Sequence, residues 1–530
     1  MLDIVYKLYI IQEIFLFIFF LSAMGNEKNL DLFNKLSSKE QAKLSARMET
    51  VSPDDGKYAQ EVLTPYLSPN AEWEACAYIQ SILLKIRAEM WQAGEHHVKE
   101  VEETLSKINP ANITLLENNV THHDQLAVLD EIWRHVSPET KALLHPWTTS
   151  YDILDTARSY LLKKVYTEKL RPIIATTIEK LNTMAENLIQ PTDEGKIPAL
   201  QAGRTHLQKT SPVPFGTTLT QYAARLADRL GKCDSAFSSL KGKISGIVGT
   251  GASVEMVIGE GKSLEFEQKV LAELGLEPDY TATQIVQKES LTDVGHSLVS
   301  LMNVLKDFAN DMRLLYSSDI GEVTSRDGKA RLWGSSADAS KNNPINRENI
   351  SGKAVVVESW MRVLYEMISS DLQRDLRGSV QARYQPNLMI TEIYESFSRA
   401  NKALNTLSIN EDVMERSLQS VRNNPSEALV AILRGESGWV HSRFWVGHDF
   451  VKEMAKKRQA EGNIRRLIDV ALEDEEFNKL YDKLPPNKQA ILQGELEKYI
   501  WTSLERAKIN IQSSRDIIAN FWKNNKEPLS

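Results

Sequence analysis

Apolar residues recur along this chain at three-, four- and seven-residue steps, and stretches that alternate apolar with polar are scarce. Leu154, Ala157, Leu161 and Val165 are followed by Leu170, Ile174, Leu181, Ala185 and Leu188. That spacing predicts a long helix with one apolar stripe. Pro172 interrupts it, but the pattern resumes beyond, so a kink is expected rather than an end. A second helix is predicted from about Phe215 through Leu219, Tyr222, Leu226 and Leu230. A third is predicted over Leu291 to Tyr316, and a fourth over Ile350 to Arg377. Long helices with little sheet define an all-α bundle.

The breaks in this pattern suggest three parts. Polar, helix-forming sequence runs from Asn26 to Glu49 and stops at Ser52-Pro53-Asp54-Asp55-Gly56. Further helical segments reach His145-Pro146. A break at Ser408 to Asp412 precedes a smaller helical unit with a polar tail at Asn524 to Ser530. The expected division is an N-terminal helical domain (24–145), a central bundle (146–405) and a C-terminal helical domain (406–530). Residues 1–23 stand apart. Ile10 to Leu21 is apolar but short for a membrane span, and Glu13 interrupts it. Asp3 and Lys7 give no positive balance before it. The expectation is a leader that is not native or a start placed too early, with a weak signal peptide or anchor as the alternative.

Composition narrows the class. The 530 residues are 42% hydrophobic and 25% charged, the values of an ordinary globular protein. A net charge of -8 argues against a general nucleic-acid or membrane-surface partner, while leaving room for a local phosphate pocket. Cys76 and Cys233, without Cys-x-x-Cys spacing, fit a reducing compartment such as the cytoplasm and suggest no structural metal.

Polar islands flank the long helices. They are Glu117 to Asp124, containing His122-His123-Asp124; His145 to Asp152, containing Thr149-Ser150; Gln201 to Gln208, containing Arg204-Thr205-His206; and Gly334 to Asn349. The last, Gly-Ser-Ser-Ala-Asp-Ala-Ser-Lys-Asn-Asn-Pro at its start, is neither an amphipathic helix nor a buried strand. Polar loops of this kind often carry function. Singly, each island has a plain account: Thr149, Ser150 or Asp152 caps a helix, and His123 is a solvated histidine. Together, hydroxyls, amides, imidazoles and cations at helix ends suit an anionic ligand.

The ordered set resembles the fumarase/aspartase superfamily, whose members release fumarate by β-elimination, and within it the adenylosuccinate lyase family. The Ser335 loop matches the superfamily signature in its Gly, Ser-Ser, Lys and Asn-Pro positions. Gly203 to Gln208 and His145 to Thr156 resemble two further signature regions. Ser52 to Tyr58 is similar to an N-terminal Asp-Gly-Arg-Tyr element, with Lys57 in place of arginine. His122-His123-Asp124 is similar to the family's His-Asp pair, and Gln373 to Leu376 with Ser379 and Arg383 to its phosphate site. The likeness covers roughly Ser52 to Asn510.

The resemblance implies a three-part, all-α architecture and a homotetramer whose sites are shared between subunits, with no metal or organic cofactor. It implies Ser335 as base (Ser336 as the fallback), His206 as general acid, and Glu348 paired with His206. Lys341, Asn343, Thr149 and Ser150 would face the succinyl carboxylates, and Gln284 would bind substrate. Arg374, Ser379 and Arg383 would hold a phosphate, with Lys57 and Tyr58 at the same nucleotide end. His122, His123 and Asp124 complete the substrate set. The implied reaction is cleavage of adenylosuccinate, and of its imidazole ribotide counterpart in purine synthesis, with fumarate as product. One departure stands out: Asp338-Ala339 replaces the family's usual Met-Pro. It puts a negative charge near a dianionic substrate unless Asp338 points outward onto a cation such as Arg347. Two other readings stay open, a fumarate-releasing lyase for another succinyl-amine such as argininosuccinate, and a silent paralogue that binds purine nucleotides without turning them over.

Overall fold

A computed structural model describes residues 31–524, save 54–56, 58, 59, 91, 92, 146, 326–336, 339, 383 and 436–446. The apolar leader, Tyr58, Ser335, Ser336 and Arg383 therefore lie outside the described residues. The described chain is overwhelmingly helical, as its apolar periodicity predicts. The elements used below are, in chain order, α1 (Pro69–Met90), α2 (Asp124–Trp133), α3 (Ser150–Val165) and α4 (Arg171–Ile189). Strands β1 (Leu200–Thr205) and β2 (Gln208–Pro214) follow, then α5 (Phe215–Ser238), α6 (Glu289–Leu315) and β3 (Val323–Ser325). The rest are α7 (Ile345–Ser359), α8 (Met361–Ile368), α9 (Arg377–Gln381), α10 (Asn387–Thr406), β4 (Leu407–Ile409), α11 (Glu411–Arg422) and α12 (Trp501–Asn524).

The predicted stripe is buried: Leu154, Ala157, Leu161, Val165, Leu170, Ile174, Leu181 and Ala185 are all core residues, with Leu188 half-buried. A π-helical turn, Tyr166–Leu170, stands between α3 and α4. It directly precedes Arg171-Pro172, and a widened turn accommodates a proline that cannot donate its backbone hydrogen bond. α6 matches its predicted span to within two residues, whereas α5 begins at the predicted Phe215 and runs past Leu230 to Ser238.

The fourth predicted helix differs. It ends at Ser359, restarts as α8, and stops at Ile368. Ser370 Oγ accepts from the Asp375 N–H at 3.1 Å, and Asp375 Oδ2 from the Asp371 N–H at 2.9 Å. Short polar side chains thus capture backbone donors that a helix would have used. Leu372, at φ +51°, confirms the loop.

The chain divides into two compact units, each assembled from separated stretches. The first holds residues 1–171, 233–298 and 357–395; the second holds 172–232, 299–356 and 396–530. In the first, α1 packs along α3 and against the helix Ser263–Glu273. In the second, β1 and β2 form an antiparallel hairpin that the sequence pattern did not predict, and β3 pairs with β4. β1 rests Leu200 and Ala202 on Leu418 and Val421 of α11. A separate core around Leu429, Phe450, Leu467 and Phe477 lies toward the C-terminus. Among the described residues no helix is long and apolar enough to cross a membrane.

Candidate functional site

In the first unit, the N-terminus of α3 organises the expected substrate residues. Asp152, in the third helical position, accepts from the Thr149 N–H at 2.7 Å, as an N-terminal capping carboxylate does. Its other oxygen accepts from the Ser245 and Gly246 amides at 3.1 and 3.2 Å and from the Lys243 ammonium. Neither Asp152 nor Lys243 is solvent-exposed. The helix start, with Thr149 and Ser150, is thereby locked to the glycine-rich loop that follows Lys243.

His123 caps α2 and faces that helix start. Its Nε2 lies 3.3 Å from Ser150 Oγ. Its Nδ1 is 3.4 Å from the Leu126 N–H and 3.3 Å from Asp124 Oδ1. Nδ1 accepts from Leu126 only when it carries no hydrogen and donates to Asp124 only when it does, so the two contacts belong to different hydrogen placements on the ring. His122, at φ +49°, is exposed at the turn before it.

Arg374 approaches the same helix start. Its guanidinium stacks on the Tyr151 ring at 3.8 Å from the centroid and donates to Gln284 Oε1 at 3.0 Å. Gln284 is itself fixed on both sides. Its N–H donates to the Gln373 carbonyl at 3.3 Å, and Thr283 Oγ1 donates to the same carbonyl at 2.7 Å. Downstream, Asp155 on α3 accepts from the Val286 N–H at 2.9 Å and from Lys288 Nζ at 2.7 Å. Gly249, at φ +78°, presses against this segment: a Cβ there would come within 2.2 Å of the Ala282 carbonyl oxygen. Only glycine fits.

His145 sits just before this helix. Its Nδ1 meets Gln80 Nε2 at 3.0 Å and Thr148 Oγ1 at 2.7 Å. Burial holds its pKa below the usual histidine value, although the Asp152 carboxylate pulls the other way. A cavity of about 560 Å³ opens in the same unit. It takes Asp124 and Ser379 from the expected residues, with Lys288, Asp155, Arg158 and Glu72 also in its wall. His123, Ser150, Gln284 and Arg374 lie outside that lining. Lys57 is exposed.

The second unit carries the expected acid. His206 and Leu207 form the two-residue turn between β1 and β2, at φ +53° and +61°. Both central residues of such a turn favour Asn or Gly, and a side-chain-bearing residue costs roughly 1–2 kcal/mol in that region. Arg204, two residues before, pairs with fully buried Glu322 through Nη1–Oε2 at 3.0 Å and Nη2–Oε1 at 2.5 Å. His206 and Glu348 are both exposed, and among the described residues of one chain they form no hydrogen bond with each other. Lys341 is exposed and Asn343 half-buried.

Asp338 does point into solvent, but not onto Arg347. Its Oδ1 accepts from the Ser340 N–H at 3.0 Å and from Ser340 Oγ at 2.6 Å, contacts that lower its pKa. Arg347 is buried with its guanidinium 4.6 Å from the Tyr316 ring centroid, an environment that an outward-facing aspartate cannot share.

Sequence reasoning singled out the helix start, the His-Asp pair, Gln284 and Arg374, all of which lie in the first unit. It missed Tyr151 beneath Arg374, the anchoring roles of Asp155 and Lys288, the Lys243 partner of Asp152, and the Arg204–Glu322 pair. No sequence signal marks Lys243, which stands in Leu240-Lys241-Gly242-Lys243-Ile244-Ser245 two residues after another lysine. Among the described residues no group of three or more His, Cys, Asp or Glu could hold a metal ion.

The helical architecture is shared with solved structures. A 3-carboxy-cis,cis-muconate lactonizing enzyme from Pseudomonas putida superposes with a TM-score of 0.72 over 88% of this chain and 99% of its own, at 16% identity. A fumarate lyase from Mesorhizobium sp. BNC1 gives 0.69 over 86% and 98%, at 18% identity. These likenesses define a fumarate-lyase-type fold. The lyase family model matches residues 60–358, and the chain belongs to that family, within the fumarase/aspartase superfamily. It is a lyase. Among curated relatives, the adenylosuccinate lyase of Methanocaldococcus jannaschii is 25% identical over 444 residues, 83% of this chain and 91% of its own length. That of Archaeoglobus fulgidus is 26% identical over 460 residues, 86% and 97%. That of Bacillus subtilis is 27% identical over 365 residues, 68% and 79%. The relatives support a fumarate-releasing lyase of this superfamily.

Proposed function

We propose that the chain cleaves adenylosuccinate to AMP and fumarate, and the succinylated imidazole ribotide to its carboxamide and fumarate, in purine synthesis in the cytoplasm. The observation that carries the reading is the Arg374 guanidinium, stacked on Tyr151 and bonded to Gln284, beside the Thr149–Ser150 helix start. A fixed planar cation and a helix N-terminus form an anion-recognising pair of the kind a phosphorylated, dicarboxylated substrate requires. The name shared by the relatives supports the same substrate.

In this reading Ser335, with Ser336 as the fallback, takes the proton from the carbon next to the succinyl carboxylate. The electron pair forms the C=C bond of fumarate while the C–N bond breaks, and His206 protonates the departing nitrogen. Glu348 supports the charged form of His206. Lys341, Asn343, Thr149 and Ser150 bind the carboxylates; Arg374, Ser379, Arg383, Lys57 and Tyr58 bind the nucleotide; His122, His123, Asp124 and Gln284 complete the contacts. Because His206 and Glu348 do not bond within one chain, their pairing is assigned to a homotetramer that shares its sites between subunits. A stable monomer in sedimentation at micromolar concentration would contradict that assembly.

The test is an ultraviolet assay with purified protein and adenylosuccinate, following the purine absorbance change and fumarate release. Turnover is expected, with losses of orders of magnitude in His206→Gln and Ser335→Ala. Full activity in both variants would end the assignment of roles. Replacing Arg374 and Arg383 by neutral residues together with Ser379→Ala should abolish nucleotide binding; unchanged binding would favour another succinyl-amine such as argininosuccinate. The exposed Asp338 motivates a second reading, a silent paralogue, which would bind nucleotide without releasing fumarate.

A further inference from the structure

His206 occupies a backbone geometry that its own sequence does not favour. The turn it shares with Leu207 puts two side-chain-bearing residues in the left-handed region, with neither Asn nor Gly to ease it. Such a turn persists only where its surroundings over-determine it. The strands supply part of that constraint: Thr205 pairs with Gln208 and Arg204 with Lys209, and the register shifts between Ala202 and Arg204. At the intervening residue, Gly203, a Cβ would lie 2.8 Å from the Ser211 carbonyl oxygen, so the hairpin is closed tightly just below the turn.

A further constraint, directed at the residue two before His206, comes from one ion pair. Arg204 reaches from β1 to Glu322 with two parallel hydrogen bonds, and its Nη1 also donates to the Ala202 carbonyl at 3.1 Å. Glu322 has no solvent exposure, and its carbonyl accepts from the Asn410 N–H at 3.0 Å, where the β3–β4 pair begins. A bidentate, desolvated guanidinium–carboxylate pair fixes direction as well as distance. We propose that Arg204 and Glu322 are positioning residues that hold the β1–β2 turn, and with it the His206 imidazole, in the orientation for proton delivery. The proposal rests on the reading of His206 as general acid. A misplacement of about 1 Å in a reacting group can cost about a hundredfold in rate.

Removing one member of a buried pair risks the fold, so the test replaces both with apolar residues of similar length, Arg204→Met/Glu322→Met. Three variants are assayed with adenylosuccinate: this double variant, His206→Gln, and the double variant carrying Leu207→Gly. Folding is checked by circular dichroism and melting. The expected result is a folded double variant with kcat down about tenfold to a hundredfold and KM within about twofold, because ground-state binding is untouched. Leu207→Gly should recover part of that kcat, since glycine adopts the second turn position without strain. A folded double variant with unchanged kcat, beside an inactive His206→Gln, would overturn the positioning role while sparing the acid. A loss that Leu207→Gly leaves untouched would also overturn it. Full activity in His206→Gln would instead remove the reading on which it rests.

Discussion

Lys243 and Asp152 form an ion pair in which neither side chain is exposed to solvent, although 91 positions separate them. Their surroundings are unequal. Asp152 also receives the Thr149, Ser245 and Gly246 amides, whereas Lys243 has one further acceptor among the described contacts, the Gly246 carbonyl at 3.1 Å. Asp152→Ala removes the carboxylate bonded to the buried ammonium, leaving it the Gly246 carbonyl and the field of buried Glu267, and should destabilise the fold by about 3–5 kcal/mol. Lys243→Met leaves a carboxylate still held by three N–H donors and should lose less. Urea unfolding of the two variants checks the order; equal losses, or a larger one for Lys243→Met, would show that the amides do not hold the charge.

Arg374 makes two kinds of contact that a lysine cannot reproduce together, a planar stack on Tyr151 and a directed bond to Gln284. Arg374→Lys keeps the charge and loses the plane. If Arg374 binds the non-reacting end of the substrate, the loss falls on uniform binding. Steady-state kinetics should then show KM raised by about tenfold or more with kcat within about threefold. A fall in kcat at constant KM would move Arg374 into the chemistry.

The helices were legible because burying one stripe demands a period, and Leu154 through Ala185 display it. The β1–β2 hairpin was not. Its second strand, Gln208-Lys209-Thr210-Ser211-Pro212-Val213-Pro214, is exposed at one end and carries no alternation that a sequence reader could follow. The break after Ile368 was hidden for a related reason, since side-chain capture by Ser370 and Asp375 competes locally with helix and leaves composition unchanged. Of the candidate site, the residues that end or begin helices could be found, because capping has its own sequence signature: Thr149 with Asp152 is one. The partners that fix them could not. Lys243, Lys288 and Glu322 come from distant segments, and ion pairs leave no periodic trace.

His145 gives the stability a pH dependence of fixed sign. Burial lowers its folded-state pKa below the unfolded value near 6.5, so the unfolded chain takes up the proton first as pH falls. The stabilising preference for neutral His145 is fully present above about pH 6.5 and is lost progressively below it, until the folded form protonates as well. His145→Gln retains an acceptor for Gln80 and Thr148 without a titrating group. Its melting temperature should fall less than that of the unaltered protein between pH 7.5 and 5.5. An identical fall in both would assign the acid sensitivity to other groups.

Asp338 is exposed and bonded to Ser340, contacts that favour its ionised form, so it brings a negative charge to a loop expected to meet a dianionic ligand. Two separable effects follow from restoring an apolar residue and a proline at this position. Removing the charge with Asp338→Asn should lower KM for adenylosuccinate, and the gain should shrink as ionic strength rises from about 0.01 to about 1 M, because an exposed charge is screened over a Debye length that falls from about 30 to about 3 Å. Adding Ala339→Pro narrows the backbone states available before binding. Where the proline fits, it is worth about 0.4–1 kcal/mol, or about two- to fivefold in apparent affinity, and this part should be insensitive to salt. Measuring KM for Asp338→Asn, Asp338→Met and Asp338→Met/Ala339→Pro at both ionic strengths separates the two. A salt-independent gain from Asp338→Asn would show that Asp338 acts through its hydrogen bonds to Ser340 and not through its charge. Turnover found only in the Asp338→Met/Ala339→Pro protein would make the unaltered chain the silent paralogue.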